Sequence, residues 1–267
     1  MAHLEELFVY PIKSLDATSV ATATIVENGG LEADRRYAIV DADGEYVNGK
    51  REPLVHRLQA TYDLGKAVVS LRKHGTDEPH RFHLEDDRGA LESWLSDVFD
   101  RSVELRREDE GGFPDDTDAS GPTVISTETI ETVASWYDEI SASEMRRRLR
   151  PNLVVGGVPT FWEDRLYDDP GRVVPLEVGG AILHGVNPCQ RCVVPTRNPD
   201  TGEPTSGFRE TFVTRREATL PEWANESQFD HYFRLMVNTQ VPESSWETTL
   251  SVGDGLEVGK PISEPAE

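Results

Sequence analysis

The sequence predicts an α+β protein that is rich in β-structure and built on barrel-like sheets with a few helices. Its 267 residues contain many short apolar segments separated by Gly-containing turns, which is the pattern of strands. Only a few stretches repeat their apolar residues at helical spacing. Residues 107–122 are acidic and rich in Gly and Pro, which indicates a loop or boundary. We therefore expect two domains, 1–118 and 119–267.

The first domain is predicted to consist mainly of strands. Residues 7–15 are apolar on either side of a proline, which indicates an edge strand followed by a turn. Residues 35–50 are typical of a hairpin that turns at an Asp-Gly pair, and residues 67–73 add another strand. An amphipathic helix follows, with one face made of apolar side chains at helical spacing. These are Leu91, Trp94, Leu95, Val98 and Phe99.

The second domain is predicted to mix helices with strands. Ser126 is placed to cap a helix, and Ser141 with Glu144 has capping-box spacing ahead of another. Strands are expected at 153–157 and 176–185.

Two further patterns lie near the end of the chain. Residues 248–258 are typical of a last strand pair that turns at a Gly-Asp-Gly sequence. Before it, four large apolar residues at helical spacing predict one more helix. They are Phe229, Tyr232, Phe233 and Met236.

The chain is strongly acidic. It has 49 Asp and Glu against 27 Lys and Arg, a formal net charge of −22, and only five of the 27 basic residues are Lys. Such a surface repels the phosphates of nucleic acids and of anionic lipids. The composition is typical of proteins from halophilic archaea, where high salt screens the repulsion between carboxylates, and the alternative is an ordinary acidic protein of a mesophile. Any cluster of basic residues in this chain therefore needs a local reason.

No run approaches the roughly 20 apolar residues of a membrane-spanning helix. The N-terminus does not have the basic-then-apolar layout of a signal peptide. We therefore expect a cytoplasmic protein that does not enter a membrane.

Cys189 and Cys192 are the only cysteines, and they are three residues apart on either side of Gln190-Arg191. A neighbouring Arg favours the thiolate, which is the form that ligates metals or attacks electrophiles. The pair is compatible with a dithiol redox site, although the following Val-Val-Pro is poor helix sequence. It is also compatible with half of a zinc site, a single soft ligand to a metal held mainly by a cofactor, or two small buried side chains.

Basic residues cluster at predicted strand ends. Lys13-Ser14 follow one strand, Arg35-Arg36 precede another, and residues 146–150 lead into Pro151-Asn152. Arg forks bind phosphate bidentately, so these clusters favour a polyanion site. For residues 146–148 a solvated helix face paired with carboxylates is the preferred alternative.

The histidines do not form a metal pair at helical spacing. His80 and His83 are expected on an exposed strand. His184 either reaches the cysteine site or is a hydrogen-bonded core residue. The chain also lacks a Gly-rich phosphate loop and a Ser nucleophile elbow.

Five short motifs occur in the order and spacing of a known family. They are Tyr10-Pro11-Ile12-Lys13-Ser14, Gly30-Leu31 with Asp34-Arg35-Arg36, Arg51-Glu52-Pro53, Arg150-Pro151-Asn152, and Arg191-Cys192 with Asn198-Pro199-Asp200-Thr201-Gly202. From about residue 4 to about residue 258 the chain resembles the two-part MOSC proteins, named after the C-terminal domain of molybdenum cofactor sulfurase. In these proteins an N-terminal β-barrel-like domain precedes a MOSC β-barrel domain. Within that superfamily the chain is similar to the mitochondrial amidoxime-reducing component and to bacterial N-hydroxylated-base reductases.

The resemblance implies that a molybdenum cofactor (Mo-molybdopterin) lies between the two lobes, with Cys192 as the metal ligand. Pyridoxal phosphate binding is not expected. The implied cofactor contacts are Lys13, Ser14 and Arg35 from the first lobe, and Ser120, Arg150, Asn152, Gln190 and Arg191 from the second.

The resemblance also implies reduction of a small N-hydroxylated substrate. No flavin, haem or iron–sulfur motif is present, so a separate ferredoxin- or flavin-type protein is expected to supply the electrons. The alternative is a cofactor carrier or a sulfur-transfer protein that holds a persulfide on Cys192.

Overall fold

The computed structural model describes residues 1–76 and 78–264, which form 16 strands and four α-helices. The helices are α1 (Arg88–Phe99), α2 (Thr127–Ala134), α3 (Ala142–Leu149) and α4 (Phe208–Ala218). The strands of the first half are β1 (His3–Val9), β2 (Thr18–Ser19), β3 (Thr22–Thr24), β4 (Tyr37–Asp41), β5 (Leu58–Asp63), β6 (Val68–Lys73), β7 (His80–His83) and β8 (Val103–Arg107). Those of the second half are β9 (Val124–Ser126), β10 (Leu153–Gly156), β11 (Arg172–Val178), β12 (Ala181–Gln190), β13 (Arg234–Gln240), β14 (Thr249–Ser251), β15 (Leu256–Val258) and β16 (Ile262–Ser263).

The largest sheet has nine strands and draws on both halves of the chain. Its order is β15-β11-β12-β13-β9-β10-β1-β2, and β16 pairs with β11 beyond this path. The β9–β10 pair is parallel and the other pairs are antiparallel. A small sheet of β3 and β14 also joins the two halves. These pairs cross the expected boundary at residue 118, and the division into domains stays a prediction.

Two further sheets lie wholly in the first half. One contains β5, β6 and β7, and the other pairs β4 with β8. Together with α1 they surround an apolar core that includes Ile39, Leu71 and Leu91. The predicted α+β, β-rich class is confirmed. In the described part of the chain the sheets stay open and none closes into a barrel.

Both faces of the large sheet are covered. Leu153 and Val155 on β10 contact one apolar core, whereas Val154 between them contacts a second core that includes residues of α2, α3 and α4. Successive side chains of a strand point to opposite faces, so a strand covered on both sides is a continuous apolar run. This explains why the segment 153–157 lacks the alternation of a surface strand.

The capping signals of the sequence are confirmed. The hydroxyl of Ser126 accepts a hydrogen bond from the backbone N–H of Thr129 and begins α2. The hydroxyl of Ser141 accepts from the backbone N–H of Glu144 and begins α3. Helix α1 buries Leu91, Leu95 and Phe99, as the spacing predicted, and β6 forms where a strand was expected.

The helix predicted across residues 229–236 is wrong. Phe229 follows a short 3-10 turn, and Met236 lies on β13 with a positive φ of 68°. From Arg234 onward the segment pairs with β12 and β9 as strand β13, with an irregularity at Met236, so tertiary contacts override the helical spacing there. A helix does form earlier in the chain, where α4 follows Gly207. Glycine provides no side-chain cap, so the sequence contained no clear signal for the start of this helix.

Three strand pairings also differ from prediction. The first strand is not at an edge, because β1 pairs with β10 and β2. Residues 248–258 form two strands, but β14 pairs with β3 and β15 with β11. The turn after β4 forms, with Gly44 N–H donating to Asp41 O at 2.9 Å, but the returning chain makes only one bridge and the ladder of β4 is with β8.

In the described residues, the four helices are all too short or too polar to cross a membrane.

Candidate functional site

A cavity of about 890 Å³ opens between the two halves of the chain, and all nine residues that the sequence singled out line it. Residues 13 and 14 lie in the turn after β1, residue 35 precedes β4, and residue 120 precedes β9. Residues 150 and 152 lie between α3 and β10, and residues 190–192 lie at the end of β12. Loops of the first half and the ends of three strands of the large sheet, β9, β10 and β12, thus bring motifs that are distant in the chain to one cavity.

The cavity is cationic although the protein is acidic. Nine basic side chains line it against four acidic ones, whereas the whole chain carries a charge of −22. The basic residues are Lys13, Arg35, Lys50, Arg147, Arg148, Arg150, Arg191, Arg197 and Arg234, and the acidic ones are Asp16, Asp34, Asp115 and Asp116. A concave surface of one sign attracts ligands of the opposite sign, so this cavity favours an anion.

Lys13 and Arg35 already have carboxylate partners. The Lys13 ammonium donates to Asp115 Oδ1 at 2.7 Å and to the carbonyls of Phe113 and Pro114 at 2.8 and 3.0 Å. The Arg35 guanidinium donates to Asp34 and, at 3.3 Å from Nε, to Asp115 Oδ2. Asp115 therefore bridges the two cations of the first lobe.

The pKa shifts at this bridge follow from burial and charge. Burial lowers the pKa of Lys13, although Asp115 opposes that shift. Burial alone would also lower the pKa of Arg35, but Asp34 and Asp115 raise it above its ordinary value. For Asp115, desolvation inside the cavity acts to raise the pKa although its side chain is 55% exposed, and the charges of Arg35 and Lys13 outweigh that effect and hold the pKa well below its usual range.

Arg150 is held in an unusual backbone conformation. It ends α3 with φ 58° and ψ 52°, and its guanidinium lies over the Tyr10 ring at 4.2 Å. Ser14 and Arg35 also have positive φ, 75° and 50°. Left-handed backbone is costly for residues other than Gly and concentrates at functional sites. Three of the nine predicted site residues share it.

The side chain of Asn152 is used within the protein. Its amide donates to Phe8 O at 3.0 Å, and its oxygen accepts from the backbone N–H and the hydroxyl of Thr123 at 3.3 Å. The Asn152 side chain therefore connects β1 to Thr123, the residue before β9. Ser120 donates its hydroxyl hydrogen to Asn28 O at 2.5 Å. Gln190 lies at the exposed end of β12.

The two cysteines differ in environment. The Cys189 thiol, which is half-buried and also lines the cavity, donates to Asn238 Oδ1 at 2.6 Å, and desolvation raises its pKa. Cys192 follows the end of β12 and is half-buried at the cavity wall. Both cysteines are free. In residues 1–76 and 78–264, no group of three or more His, Cys, Asp or Glu side chains is arranged to hold a metal, so a metal at Cys192 would need other ligands.

Arg191 orients the segment that carries Cys192. Its backbone N–H donates to Phe233 O at 2.9 Å, and its Nη2 donates to Leu149 O at 2.8 Å. Its Nε is buried and has no hydrogen-bond partner among residues 1–76 and 78–264, and the same is true of the Nε of Arg197. A buried donor without a partner is costly unless a ligand or water satisfies it.

The structure corrects one sequence interpretation and favours one of the two alternatives for His184. The solvated-face interpretation of residues 146–148 is wrong for Arg148, which is buried and contacts Glu144, Pro195 and Thr205. His184 is buried in β12 opposite Gln240 and does not line the cavity, which favours the core alternative.

Sequence reasoning missed several residues of the cavity wall. His56 lines it, with Nε2 3.2 Å from Gly49 O, and burial lowers its pKa, so the imidazole is neutral at neutral pH. Asp115 was not predicted, because it lies in the acidic stretch 107–122, which was interpreted as a loop or boundary. A local pattern could have suggested only its charge, because its partners lie about 80 to 100 residues away in the chain.

The fold and the cavity define an α+β protein with open sheets and a cationic, thiol-bearing cavity between its two halves. The chain belongs to the MOSC domain family: residues 121–257 match the MOSC domain, and residues 1–108 match the MOSC N-terminal beta barrel domain.

Curated relatives share about a quarter of the aligned residues. Mitochondrial amidoxime reducing component 2 of Bos taurus is 24% identical over 240 residues, covering 74% of this chain and 67% of its own length. Mitochondrial amidoxime-reducing component 1 of Xenopus laevis is 25% identical, covering 86% and 77%. Molybdenum cofactor sulfurase of Homo sapiens is 24% identical, and this chain spans 74% of itself but only 27% of that protein. Among solved structures, the YUAD protein from Bacillus subtilis is 12% identical with a TM-score of 0.37, covering 96% of this chain and 94% of its own.

Proposed function

We propose that the cavity binds a molybdenum cofactor, Mo-molybdopterin, with the Cys192 thiolate as its protein ligand to the metal. The observation that carries this proposal is the concentration of nine basic side chains beside a half-buried thiol in a chain of charge −22. A pterin cofactor with a terminal phosphate is an anion, and molybdenum binds soft sulfur ligands. The name of one relative, a molybdenum cofactor sulfurase, agrees with this ligand.

The free donors of the cavity fit such a group. In the described residues Lys50, Arg150, Arg191 and Arg197 line the cavity without a salt bridge to a carboxylate. The buried Nε atoms of Arg191 and Arg197 add two unsatisfied donors. These residues, together with Lys13 and Arg35, would hold the phosphate and the polar ring edges, while Ser14, Ser120, Asn152 and Gln190 complete the cavity lining.

The reaction we propose is the reduction of small N-hydroxylated compounds. An N–OH substrate takes up two electrons and two protons and leaves as the N–H compound and water. The bound cofactor supplies the two-electron chemistry. The chain contributes binding and orientation, and a separate ferredoxin- or flavin-type protein supplies the electrons.

The test is molybdenum and pterin content per chain after expression in a host that makes the cofactor, together with reduction of an amidoxime or a hydroxylaminopurine by an artificial donor. We expect wild type to carry molybdenum and to turn over. Cys192→Ser should lose the metal, whereas the matched variant Cys189→Ser should keep it, because the Cys189 thiol already donates a hydrogen bond to Asn238. A Cys192→Ser variant that retains molybdenum and activity would exclude Cys192 as the ligand, and wild type without molybdenum would exclude cofactor binding.

A second candidate is a carrier or sulfur-transfer role, because one relative is named a molybdenum cofactor sulfurase. In that role Cys192 would hold a persulfide or the cofactor would pass to another enzyme. Intact mass after gentle purification separates the two candidates: an added sulfur on Cys192 favours transfer. Bound cofactor with turnover favours the reductase, and bound cofactor without turnover favours the carrier.

A further inference from the structure

The cations of the cavity fall into two groups. Lys13 and Arg35 are neutralised within the chain, because Asp115 and Asp34 supply two carboxylates for two positive charges. The guanidinium of Arg150, by contrast, lies over the Tyr10 ring and has no hydrogen-bond or salt-bridge partner among the described residues, although it lines the same cavity. An anion can therefore approach Arg150 directly, but at Lys13 and Arg35 it meets a position that a carboxylate already fills.

Asp115 occupies that position, and the backbone of the preceding residues 111–113 is held close to Arg35. Gly111 and Gly112 have positive φ of 120° and 68°, and the Phe113 N–H donates to Arg35 O at 2.8 Å. A Cβ at Gly112 would come within 2.7 Å of the Arg35 carbonyl oxygen, so only glycine allows this close approach. The Asp115 side chain is still 55% exposed, and it faces the cavity rather than being enclosed by protein.

We propose that Asp115 is a specificity-determining residue: it acts as a tethered carboxylate that excludes monovalent anions from Lys13 and Arg35 and yields only to a dianion such as a phosphate monoester. The inference rests on the proposed anionic ligand of the cavity. A carboxylate tethered in the chain competes at a high effective concentration, so a monoanion that offers no more charge gains nothing by replacing it. A dianion brings a second charge and three acceptor oxygens to the Lys and Arg donors.

A phosphate that binds at Lys13 has to replace hydrogen bonds that already exist, because no donor of this ammonium is free among the described residues. The ammonium of Lys13 uses all three of its donors on Phe113, Pro114 and Asp115. An incoming phosphate must therefore displace at least the Asp115 carboxylate. After displacement Asp115 can turn into the open cavity, where its surface is already exposed.

The experiment is calorimetric titration of the cofactor-free protein with inorganic phosphate, in wild type and in Asp115→Asn. Each titration is run in potassium chloride and in an equal concentration of potassium gluconate, whose large anion fits the site poorly. Asp116→Asn is the matched control, because it removes the same charge from the same cavity but contacts Asn238 instead of Lys13 or Arg35. A cooperative melt is recorded for each variant, and Asp115→Ser provides a second substitution.

We expect Asp115→Asn to bind phosphate about tenfold more tightly than wild type, the order of effect of one charged hydrogen bond. Chloride should weaken phosphate binding in Asp115→Asn but not in wild type, and Asp116→Asn should change the affinity by much less. Equal or weaker phosphate binding in Asp115→Asn would overturn the proposal and make Asp115 a residue that positions Lys13. Absence of phosphate binding in every variant would overturn it too, while molybdenum content would decide the proposed function separately.

Discussion

Arg216 and Asp164 form a buried ion pair in which Nη2 of the guanidinium lies 2.7 Å from both carboxylate oxygens. The side chains are 0% and 1% exposed. The guanidinium lies between the rings of Phe161 and Phe229, 4.6 and 5.4 Å from their centres, and its Nε reaches Arg234 O on β13. The pair thus fastens α4 to the 3-10 turn at 162–165 and to the large sheet behind the cavity.

Replacing Arg216 with Met should lower the free energy of unfolding by about 3–5 kcal/mol, because Asp164 would remain buried without a counter-charge. The midpoint of urea denaturation measures this loss. Arg215→Met is the control, since Arg215 is the exposed neighbour on the same helix and should change stability by less than about 0.5 kcal/mol. Equal effects of the two substitutions would contradict the role assigned to the buried pair.

Glu163 should make stability fall with rising pH. It is buried beside Asp164 and accepts hydrogen bonds from Ser126 and Thr129 on one oxygen, while its other oxygen has no partner in the described part of the chain. Burial, then the neighbouring Asp164 charge, raises its pKa from 4.5 to about 7. Between about pH 4.5 and 7 the folded protein thus keeps a proton that the unfolded chain has already lost. The free energy of unfolding therefore decreases across that window.

Glu163→Gln cannot ionise, so it should flatten this part of the profile and gain about 1–2 kcal/mol over wild type above neutral pH. Urea denaturation at a series of pH values measures both effects. Glu131→Gln, on the exposed face of α2, is the control and should keep the wild-type slope. An unchanged slope in Glu163→Gln would show that another group causes the dependence.

Gly185 should tolerate no side chain. A Cβ there would lie 1.9 Å from the backbone oxygen of Leu166, so β12 would have to move away from that segment. Overpacking of this kind costs about 3 kcal/mol. We expect Gly185→Ala to lower the melting temperature clearly, whereas Gly255→Ala, where the added carbon meets nothing within 4 Å, should leave it nearly unchanged. Equal melting temperatures would refute the close approach.

Salt should stabilise the protein. With a formal charge of −22, carboxylates repel one another over the surface, and dissolved ions screen that repulsion. The urea midpoint should therefore rise steadily from low to molar KCl. Urea is chosen because it is uncharged and leaves the ionic strength under separate control. A midpoint that falls over the same range would show that screening of favourable ion pairs, such as Arg147 with Asp200, dominates instead.

The nine residues that the family resemblance implied all line one cavity, and their role as a cofactor site stays a prediction. The partners of those residues were not predictable, because no local pattern links Lys13 or Arg35 to Asp115, and none distinguishes the hydrogen-bonded Cys189 from Cys192.

The local elements were predicted where local physics decides them. Ser126 and Ser141 cap their helices through hydrogen bonds that span three residues, and α1 follows from the spacing of its apolar face. The helix predicted at residues 229–236 does not form, because apolar side chains at helical spacing also occur where a strand has both of its faces buried. Only the pairing of β13 with β12 and β9 selects the extended form.

By itself, the sequence determined the charge, the caps, the β-rich class and the family motifs, since each depends on composition or on residues close together in the chain. The tertiary structure decided which strands pair across the two halves and which acid neutralises which base. These depend on contacts between residues about a hundred positions apart, whose free energy appears only when the chain closes around its core.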